Sequence, residues 1–303
     1  MIRIGITGPN GIIGKKLISF FEQETDYQLV LFHRSGDFDS KHRKVFFKHY
    51  DELKVSDFKN IDVLVHLAGN AHNVSTNSEK NIKKYIDSNI NFTKKVTKLC
   101  VQSNVKKIIF MSSVRVCKPL HGKIIEEVDC KEALNVYGLT KLKAERCIQA
   151  ITKKSKINYI ILRSSLVYGP NVKGNLAILV KMIRLGIMPP ISKIDNSKSM
   201  IHIDDLVRSI GFFVNDENYR NQVFNLTDGT MYSISDIYRI LMSANKKTIP
   251  KWTLPAFFLE LLKFLSKDFY QKLFFDDAFS SEKLKKTGFK THKKLSQINE
   301  TDY

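Results

Sequence analysis

The hydrophobic pattern along the first two-thirds of the chain alternates between short apolar runs and longer amphipathic stretches. Runs of strand length occur at "IRIGIT" (2–7), "QLVLF" (28–32), "DVLVHLA" (62–68), "KIIFMSS" (107–113) and "YIILRSS" (159–165). Stretches with helical periodicity lie between them, at residues 11–24, 79–103 and 136–153. Strands that are almost continuously apolar are buried on both faces, which is typical of a parallel sheet covered by helices. The pattern predicts a doubly wound α/β fold.

The alternation ends after "VYGP" (167–170), where helical segments such as "NLAILVKMIRLG" dominate and the strands between them are short. This change predicts a large first domain at residues 1–165 and a smaller C-terminal mixed α/β lobe at 166–303. No internal repeat or Gly/Ser-rich linker separates the two parts of the sequence. We therefore expect them to be interwoven.

Cysteine and histidine usage suggests neither disulfides nor metals. A chain of 303 residues can bury a hydrophobic core large enough to fold without disulfides or metal ions. The cysteines Cys100, Cys117, Cys130 and Cys147 are widely spaced with no CxxC pair, and we expect them to be reduced and structural. The eight histidines show no metal-ligand spacing, so no metal site is predicted.

Neither end of the chain carries a recognisable export or membrane signal. "MIRIGIT" runs directly into a strand pattern without an apolar signal core. The run "LPAFFLELLKFL" (254–265) is interrupted by Glu260 and Lys263 and is too short to span a bilayer. We expect a cytoplasmic protein without stable membrane insertion, in which this run is a packing helix; a partner helix or peripheral membrane association is the alternative.

The net charge of +19 raises the question of nucleic-acid binding. The lysines are scattered along the chain, with no block of five or six like charges and no aromatic-basic recognition motif. They are typical of solvated helix faces, and no nucleic-acid partner is predicted. The excess should favour anionic ligands such as nucleotide diphosphates, or an acidic membrane surface.

A glycine-rich turn, "ITGPNGIIGKKL", joins the first predicted strand to the first predicted helix. Gly8, Gly11 and Gly14 are spaced as GxxGxxG. Glycines allow a tight turn and close approach of a pyrophosphate, whose charge the free N–H groups of a helix N-terminus attract. The position predicts an NAD(P)-binding Rossmann domain at 1–165, with the cofactor held by Gly8, Asn10, Gly11, Ile12, Ile13 and Gly14.

The end of the second predicted strand indicates which dinucleotide binds. NAD-specific folds usually place an acidic residue there, to hold the ribose 2′-hydroxyl. Here the residues are His33, Arg34 and Ser35. No carboxylate repels a 2′-phosphate at this point, and Arg34 could bind one, unless it is only a solvent-facing arginine. The sequence favours NADP(H), with NAD(H) as the alternative.

"NVYGLTK" (135–141) places Tyr137 and Lys141 four residues apart, on one face of a predicted helix. A tyrosine titrates near 10, and a neighbouring ammonium lowers that pKa towards the range useful for acid/base chemistry. YxxxK alone occurs by chance in many helices. Ser113 strengthens the hypothesis, because it ends the strand "KIIFMSS" at the sheet edge where doubly wound folds bind ligands.

Glycine turn, strand-end serine and YxxxK, in that order, resemble the extended short-chain dehydrogenases/reductases, the nucleotide-sugar epimerase/dehydratase group. The resemblance covers nearly the whole chain. "HLAGNAH" (66–72) looks like the family's loop beside the cofactor, and "SNINFTKKV" looks like the segment with its supporting asparagine. "LRSSLVYGP" (162–170) and "HIDDL" (202–206) match further signatures.

The resemblance implies a role for each matching residue. Tyr137 would be the acid/base that acts on the sugar, Lys141 would tune it and hold the ribose, and Ser113 would hydrogen-bond the same sugar oxygen. Further cofactor contacts would come from His33, Arg34, Leu67, Ala68, Gly69, Asn89 and Ser164. Substrate contacts would come from Asn70, His72, Ser113, Asn175 and Lys198. A homodimer formed through the helix that carries Tyr137 is also implied.

Departures from the family pattern point to one branch. Leu166 replaces the asparagine usual before "YGP" in 4-epimerases, and Lys198 stands where many relatives have an arginine. "SSVRV" also lacks the usual following Tyr-Gly. The chain looks most like bacterial reductases that convert UDP-4-keto-6-deoxy-N-acetylhexosamines to 6-deoxy sugars for surface polysaccharides such as O-antigen. This branch implies NADPH and a UDP-sugar.

Other functions compete with the reductase. A UDP-hexose or UDP-N-acetylhexosamine 4-epimerase with tightly bound NAD would use the same serine, tyrosine and lysine. A 4,6-dehydratase fits less well, because those relatives place an acidic pair where Val114 and Arg115 follow Ser113. A non-catalytic NADP-binding module would not need the complete serine, tyrosine and lysine set.

Overall fold

The structure is a computed structural model that describes residues 1–24, 26–34, 40–71, 79–172, 175–188, 190, 194–250, 252 and 275–299. Two expectations fall outside these residues: the substrate contact at His72 and the helix at 254–265. At Asn175 only the backbone is described.

In the described residues, ten strands form two sheets. They are β1 (Ile2–Thr7), β2 (Tyr27–His33), β3 (Arg43–Phe46), β4 (Val63–His66), β5 (Lys107–Ser113), β6 (Asn158–Ser164), β7 (Leu166–Tyr168), β8 (Lys198–His202), β9 (Gln222–Leu226) and β10 (Met231–Tyr232). The first sheet has the order β3-β2-β1-β4-β5-β6-β9, and its neighbours from β3 to β6 pair in parallel. The second is mixed, because β8 pairs in parallel with β7 and antiparallel with β10.

The strand order confirms the doubly wound fold and its small mixed α/β lobe. From β1 the chain runs outwards to β2 and β3, and then returns to build β4, β5 and β6 on the other side. The order therefore reverses between β1 and β4, and such a reversal opens a crevice at the carboxyl ends of the strands. Residues that follow β1, β4 and β5 are brought to this edge.

Eight α-helices are described. They are α1 (Ile12–Phe21), α2 (Glu79–Tyr85), α3 (Phe92–Gln102), α4 (Val136–Thr152), α5 (Asn175–Arg184), α6 (Ile203–Asn215), α7 (Ile234–Ala244) and α8 (Glu282–Lys285). A π-helical segment, Ile86–Asn91, joins α2 to α3, so the predicted helix at 79–103 contains a local change of winding. Single π-helical turns of this kind are frequent at functional sites.

Two strands of the larger sheet were not predicted. β3 is an edge strand whose sequence, "RKVF", is mostly exposed, so it lacks the continuous apolar pattern of its neighbours. β9 lies far along the chain, beyond the region where strands and helices alternate strictly. Edge strands often carry charged side chains that discourage further pairing, which hides them from a search for apolar runs.

Helices α3 and α4 lie beside one another against the larger sheet. One apolar cluster includes Phe32, Leu64, Leu99 and Ile108, and a second contains Phe110, Ala144, Ile148 and Ile161. Each large side chain that is fully buried contributes about 1.5–3 kcal/mol by removal of apolar surface from water. The second cluster matters for the site, because it holds α4 against β5 and β6.

The chain divides into two compact units. The first contains Met1–Lys118, Glu127–Ser164 and Leu206–Asn225, and the second contains Pro119–Glu126, Ser165–Asp205 and Leu226–Tyr303. Most of α6 and β9 thus group with the first unit although they follow residue 165 in sequence. The domain boundary between residues 165 and 166 stays a prediction.

Two kinds of feature are absent from the described part of the chain. No helix there combines the length and the apolar character needed to cross a membrane. Nor do three His, Cys, Asp or Glu side chains come together there as a group that could hold a metal ion.

Candidate functional site

The glycine turn between β1 and α1 is built from close backbone contacts. Gly8 has φ +75°, and its carbonyl accepts a hydrogen bond from the Gly11 N–H at 3.2 Å. A Cβ atom at Gly14 would lie 2.3 Å from the Gly8 carbonyl oxygen. The left-handed backbone and this close approach both require glycine, which explains the spacing of the motif.

The same turn opens a helix towards a possible ligand. Gly11 is the N-cap of α1 and has no side chain to satisfy the first N–H groups, and Ile12 and Ile13 begin the helix. Asn10 precedes the cap on the exposed side of the turn. Unsatisfied N–H groups and the helix dipole favour a phosphate at this point. The turn therefore fits the pyrophosphate of a dinucleotide.

The end of β2 presents a positive charge to solvent. His33 is the last strand residue and is buried, whereas Arg34, which follows it, is exposed. Residues 35–39 lie outside the described part of the chain. Neither of these two described residues, His33 and Arg34, is acidic, although NAD-specific folds usually place a carboxylate at the end of this strand. Arg34 offers a positive charge there instead.

The loop after β4 is tied to β1. The Leu67 N–H donates to the Thr7 carbonyl at 3.2 Å, and the Ala68 N–H donates to the Thr7 side-chain oxygen at 3.2 Å. A Cβ atom at Gly8 would lie 2.9 Å from the Ala68 nitrogen. The loop at 67–70 therefore borders the glycine turn. The cofactor contacts of Leu67 and Ala68 stay a prediction.

Asn89, in the π-helical segment, links this loop to α4. Its side-chain oxygen accepts from the Asn70 N–H at 2.7 Å, and its amide donates to the Asn70 carbonyl at 3.2 Å and to the Thr140 hydroxyl at 3.0 Å. Thr140 in turn donates to the Tyr137 carbonyl at 2.8 Å. The fully bonded amide fixes the distance between the loop and the helix that carries Tyr137.

Buried His66 belongs to a chain of hydrogen bonds that runs from Thr7 through Thr93 to the backbone of Asn89. The Thr93 hydroxyl donates its only hydrogen to the Asn89 carbonyl at 2.7 Å. Its oxygen therefore accepts the hydrogen bond from His66 Nε2, at 2.9 Å. On the other side His66 Nδ1 accepts from the Thr7 hydroxyl at 2.6 Å. Burial lowers the pKa of His66 to about 3, and its imidazole is neutral. Sequence reasoning did not identify this support, because its members are far apart in the chain.

The start of α4 is held against the segment that follows β5. Asn135 is the N-cap, and its side-chain oxygen accepts from the Gly138 N–H at 2.9 Å. A Cβ atom at Gly138 would lie 1.9 Å from the Arg115 carbonyl oxygen. Only glycine allows this contact, which brings Tyr137 to the end of β5. The "NVYG" sequence therefore caps the helix and positions the tyrosine.

Ser113 and Tyr137 meet at that point, as predicted from their order in the sequence. Burial raises the pKa of Tyr137 to about 12, while a hydrogen bond from Ser113 and the charge of Arg115 oppose the increase. Nearby Tyr85 makes a smaller contribution to this increase. The phenol is therefore protonated at neutral pH, and its oxygen lies within hydrogen-bonding reach of the serine. The prediction that the Lys141 ammonium lowers this pKa is wrong for the free protein, because burial outweighs the groups that lower it.

Lys141 is buried one turn further along α4. Its ammonium donates to the Met111 carbonyl at 2.7 Å and lies 4.4 Å from the centroid of the Phe110 ring. Burial lowers the pKa of Lys141 to about 8, although nearby Glu145 opposes this shift. A Cβ atom at Gly69 would approach the ammonium to 3.3 Å. The lysine therefore lies against the loop that Asn89 holds.

A buried ion pair behind these residues was missed in the sequence. Glu145 forms two hydrogen bonds with the Arg163 guanidinium, at 3.1 and 2.7 Å, and accepts from the Ser112 hydroxyl at 2.5 Å. Arg163 also donates to the Glu127 carbonyl at 2.9 Å. The signal was present, because Glu145 follows Lys141 by four residues and so lies on the same helix face.

Ser164 lies beside Ser113 but has a different contact. The two serines are directly opposite one another where β6 pairs with β5. The Ser164 hydroxyl donates weakly to the Ser112 carbonyl at 3.4 Å, and its side chain is half-buried. Its cofactor role stays a prediction.

Two predicted substrate residues belong to the second unit. Asn175 is the first residue of α5. Lys198 begins β8, where its buried ammonium donates to the Phe275 carbonyl and lies 3.4 Å from an Asp277 carboxylate oxygen. This carboxylate already balances the lysine charge, which weakens the case for a phosphate contact.

The prediction that all four cysteines are reduced is wrong for one pair. Cys117 and Cys130 form a disulfide with a Cα–Cα distance of 4.4 Å. It joins the segment after β5 to the segment before α4, thirteen residues further along the chain. Cys100 and Cys147 are free. The pairing depends on tertiary contacts, and the spacing of the cysteines alone did not reveal it.

Sequence comparison assigns most of the chain to a known family. The model of the NAD dependent epimerase/dehydratase family matches residues 4–227. A UDP-glucose 4-epimerase from Vibrio cholerae is 32% identical over 258 residues, which cover 83% of this chain and 77% of the relative.

Solved structures share the fold over almost the whole chain. The UDP-glucose 4-epimerase of Thermotoga maritima, solved with UDP-glucose, has a TM-score of 0.79 at 18% identity and covers 98% of this chain and 96% of its own. The UDP-glucuronic acid 4-epimerase of Bacillus cereus, solved with UDP-glucuronic acid and NAD, has a TM-score of 0.78 at 23% identity, with coverage of 97% and 96%. At these identities the likeness concerns the fold alone.

Proposed function

Because the chain belongs to the NAD-dependent epimerase/dehydratase family of nucleotide-sugar enzymes, we propose that it is a UDP-sugar oxidoreductase acting at C4. Its reaction is the NADPH-dependent reduction of a UDP-4-keto-6-deoxy-N-acetylhexosamine, for surface polysaccharide biosynthesis. The observation that carries this choice is exposed Arg34 at the end of β2. A reductase consumes its cofactor and exchanges it, and an arginine at this point favours the phosphorylated dinucleotide.

Residues of the first unit would hold the dinucleotide. The turn formed by Gly8, Gly11 and Gly14 suits its pyrophosphate, Arg34 suits a 2′-phosphate, and Lys141 suits the nicotinamide ribose. When bound, the reduced nicotinamide supplies the hydride that the reduction needs. The turn and the strand ends orient the ligand, and the protein itself contributes the proton.

Tyr137 is the proton donor in this proposal. A phenol with a pKa of about 12 is protonated at neutral pH, which is the form that a reduction requires. Tyr137 gives its proton to the carbonyl oxygen at C4, and Ser113 hydrogen-bonds the same oxygen. The buried Lys141 ammonium stabilises the phenolate that remains, in surroundings where charge interactions are strong.

A 4-epimerase is the second candidate, and the relative from Vibrio cholerae favours it, since that protein is a UDP-glucose 4-epimerase. The same three residues would serve. Tyr137 would first have to lose its own proton, then take one from the C4 hydroxyl and later return it, and the cofactor would stay bound as NAD. The two functions therefore use the same residues but differ in the starting protonation state of Tyr137 and in cofactor exchange.

Several parts of the proposal extend beyond these residues. A UDP-sugar would also contact Asn70, His72 and Asn175, and Lys198 is the weakest of the predicted contacts because its charge is already balanced by Asp277. The protein would act as a cytoplasmic homodimer with α4 at the dimer interface. Peripheral association with a membrane would be compatible with the net charge of +19.

The decisive assay follows NADPH absorbance after purified protein is mixed with UDP-4-keto-6-deoxy-N-acetylglucosamine. Stoichiometric loss of NADPH would support the reductase. A parallel reaction with UDP-N-acetylglucosamine and no added cofactor is analysed for UDP-N-acetylgalactosamine. Product in this second reaction, with no NADPH loss in the first, would replace the reductase with the epimerase.

The variant Tyr137→Phe tests the proton donor in whichever assay is positive. We expect turnover to fall by at least a hundredfold, since general acid catalysis contributes about 10²–10⁴-fold. Tyr159→Phe is the matched control, because Tyr159 packs beside the Phe110 cluster on the same sheet and should keep full activity. Full activity in the Tyr137 variant would remove this tyrosine from the mechanism.

A further inference from the structure

Tyr85 has a buried hydroxyl that the family motifs do not account for. It is the last residue of α2, directly before the π-helical segment, and its side chain is 1% exposed. Its hydroxyl oxygen finds no hydrogen-bond partner among the residues that the structure describes. A buried hydroxyl without a partner costs free energy, and folded proteins retain few of them.

The position of this hydroxyl connects it to the proposed site. The Tyr85 ring centroid lies 6.2 Å from that of Tyr137, with the rings tilted by 54°. Asn89, which holds the loop at 67–70 against α4, follows only four residues later. The unpartnered group is thus beside the tyrosine that would act on the sugar.

The chemistry of Tyr85 suits hydrogen bonding rather than proton transfer. Burial raises the pKa of the Tyr85 phenol, so it stays protonated and neutral. A neutral phenol can donate one hydrogen bond and accept another. On the two carbons beside C4, a hexosamine presents the C3 hydroxyl and the ring oxygen bonded to C5, and both oxygens can accept a hydrogen bond.

We propose that the Tyr85 hydroxyl binds the sugar of the substrate by donating a hydrogen bond to an oxygen next to the C4 position. The inference rests on the proposed function, because it takes Tyr137 to be the residue at C4. In the free protein the hydroxyl makes no hydrogen bond to any residue that the structure describes, whereas in the complex it selects for a sugar with an acceptor at this position. Sites that hydrogen-bond a substrate group discriminate strongly against ligands that lack it.

Tyr85→Phe removes only the hydroxyl and tests the proposal by binding. Titration calorimetry compares UDP with UDP-N-acetylglucosamine, which share the nucleotide and differ in the sugar. In the variant we expect the Kd of UDP-N-acetylglucosamine to rise about tenfold while the Kd of UDP stays within twofold. The melting temperature of the free variant should equal or exceed that of the wild type, since the hydroxyl forms no hydrogen bond within the described part of the chain.

Tyr238→Phe is the matched control. Tyr238 is also buried, its hydroxyl also has no hydrogen-bond partner in the described ranges, and it lies in an apolar cluster of the second unit. This variant should bind both ligands as the wild type does, with a similar change in melting temperature.

Three results would overturn the role of Tyr85. Unchanged binding of UDP-N-acetylglucosamine by Tyr85→Phe would show that the hydroxyl does not contact the sugar. Equal weakening of UDP and UDP-N-acetylglucosamine, or a fall in melting temperature, would show a structural role instead. If the wild type bound UDP-N-acetylglucosamine no better than UDP, the sugar would gain nothing from any contact, and the role of Tyr85 would be overturned, while the NADPH assay would still decide the proposed function separately.

Discussion

At the scale of single residues, His66 and Lys141 show how burial decides protonation at the carboxyl end of the sheet. Both side chains are almost fully buried. Burial and, to a smaller extent, the charge of nearby Lys141 together lower the pKa of His66 to about 3. Burial also lowers the pKa of Lys141, but only to about 8, because Glu145 opposes it. At neutral pH the lysine is therefore charged and the histidine neutral.

Because His66 is neutral in the folded protein, the free energy of unfolding should depend on pH in the acidic range. Its pKa is about 3 in the folded protein and about 6.5 when unfolded, so between these values the unfolded chain binds more protons. The free energy of unfolding should therefore fall as pH decreases from 6.5 towards 3, by up to about 1.4 kcal/mol per pH unit from this group. Urea unfolding at several pH values measures the slope.

The comparison uses His66→Gln, which cannot titrate. We expect its stability to decrease less steeply below pH 6.5 than that of the wild type, whatever its absolute stability. His49→Gln is the control, because His49 is exposed, and it should keep the wild-type slope. Parallel slopes for all three proteins would contradict the neutral buried state of His66.

Arg34 gives a second prediction at this scale. Arg34→Ala removes the charge proposed to bind the 2′-phosphate, and a hydrogen bond to a charged group contributes about 1.5–3 kcal/mol. The Kd of NADPH should rise at least tenfold, and the Kd of NADH should stay within twofold. Fluorescence titration of both cofactors measures this difference.

Arg43→Ala serves as the control for Arg34. Arg43 is exposed at the start of neighbouring β3, opposite Val30 rather than His33. Equal weakening of NADPH and NADH by Arg34→Ala would mean that the arginine does not recognise the 2′-phosphate. The preference for NADP(H) would then lose its physical basis.

At the scale of elements, α4 and the end of β5 form one unit of structure. Successive turns of α4 reach three consecutive strand residues: Tyr137 contacts Ser113, Lys141 the Met111 carbonyl, and Glu145 the Ser112 hydroxyl. Spacing by four residues keeps these side chains on one helix face. The acid/base geometry therefore depends on the packing of a whole helix against a strand.

The disulfide should stabilise this arrangement. Cys117 and Cys130 are thirteen residues apart, and closure of a loop of that size contributes about 3 kcal/mol in the chain-entropy account. Dithiothreitol should therefore lower the melting temperature of the wild type, and Cys130→Ser should lower it similarly without further response to the reductant. Differential scanning calorimetry makes the measurement.

Cys147→Ser is the control for this prediction. Cys147 is free and half-buried on α4, so its variant should melt close to the wild type and remain sensitive to dithiothreitol. A wild-type protein whose melting temperature is the same with and without reductant would contradict a stabilising disulfide.

At the scale of the whole molecule, the protein has a net charge of +19 and a pI of about 9.6, but its sequence contains no nucleic-acid recognition motif. Scattered charges attract any polyanion at low ionic strength and are screened at higher salt. The protein should bind duplex DNA in about 20 mM salt and release it by about 150 mM. Fluorescence anisotropy with two unrelated duplexes measures this.

A nucleic-acid function would give a different result. Binding that persists above about 300 mM salt, or that prefers one duplex, would require a clustered or specific site. Equal and salt-sensitive binding of both duplexes would fit a surface of solvated lysines. The positive charge would then serve to attract the nucleotide diphosphate of the substrate rather than a nucleic acid.

Much of the fold and of the candidate site was predictable, because the patterns involved are local. Almost continuously apolar runs identified five strands of the larger sheet, and the glycine turn appeared where β1 meets α1. Ser113 and Tyr137 came together as their order implied. The polar edge strand β3 and the distant strand β9 were not predicted, since neither has a strong local pattern of apolar residues.

The sequence by itself determined the strand–turn–helix that suits a dinucleotide, the helix face shared by Tyr137 and Lys141, and the family. The first two are encoded by residues only a few positions apart, where backbone geometry sets the spacing, and the family is encoded by short motifs that recur in order along the chain. Only the tertiary structure decided which distant groups meet: His66 with Thr7 and Thr93, Glu145 with Arg163, Cys117 with Cys130, Tyr85 with Tyr137. Such contacts depend on packing across the whole sheet, and packing also sets the burial that shifts each pKa.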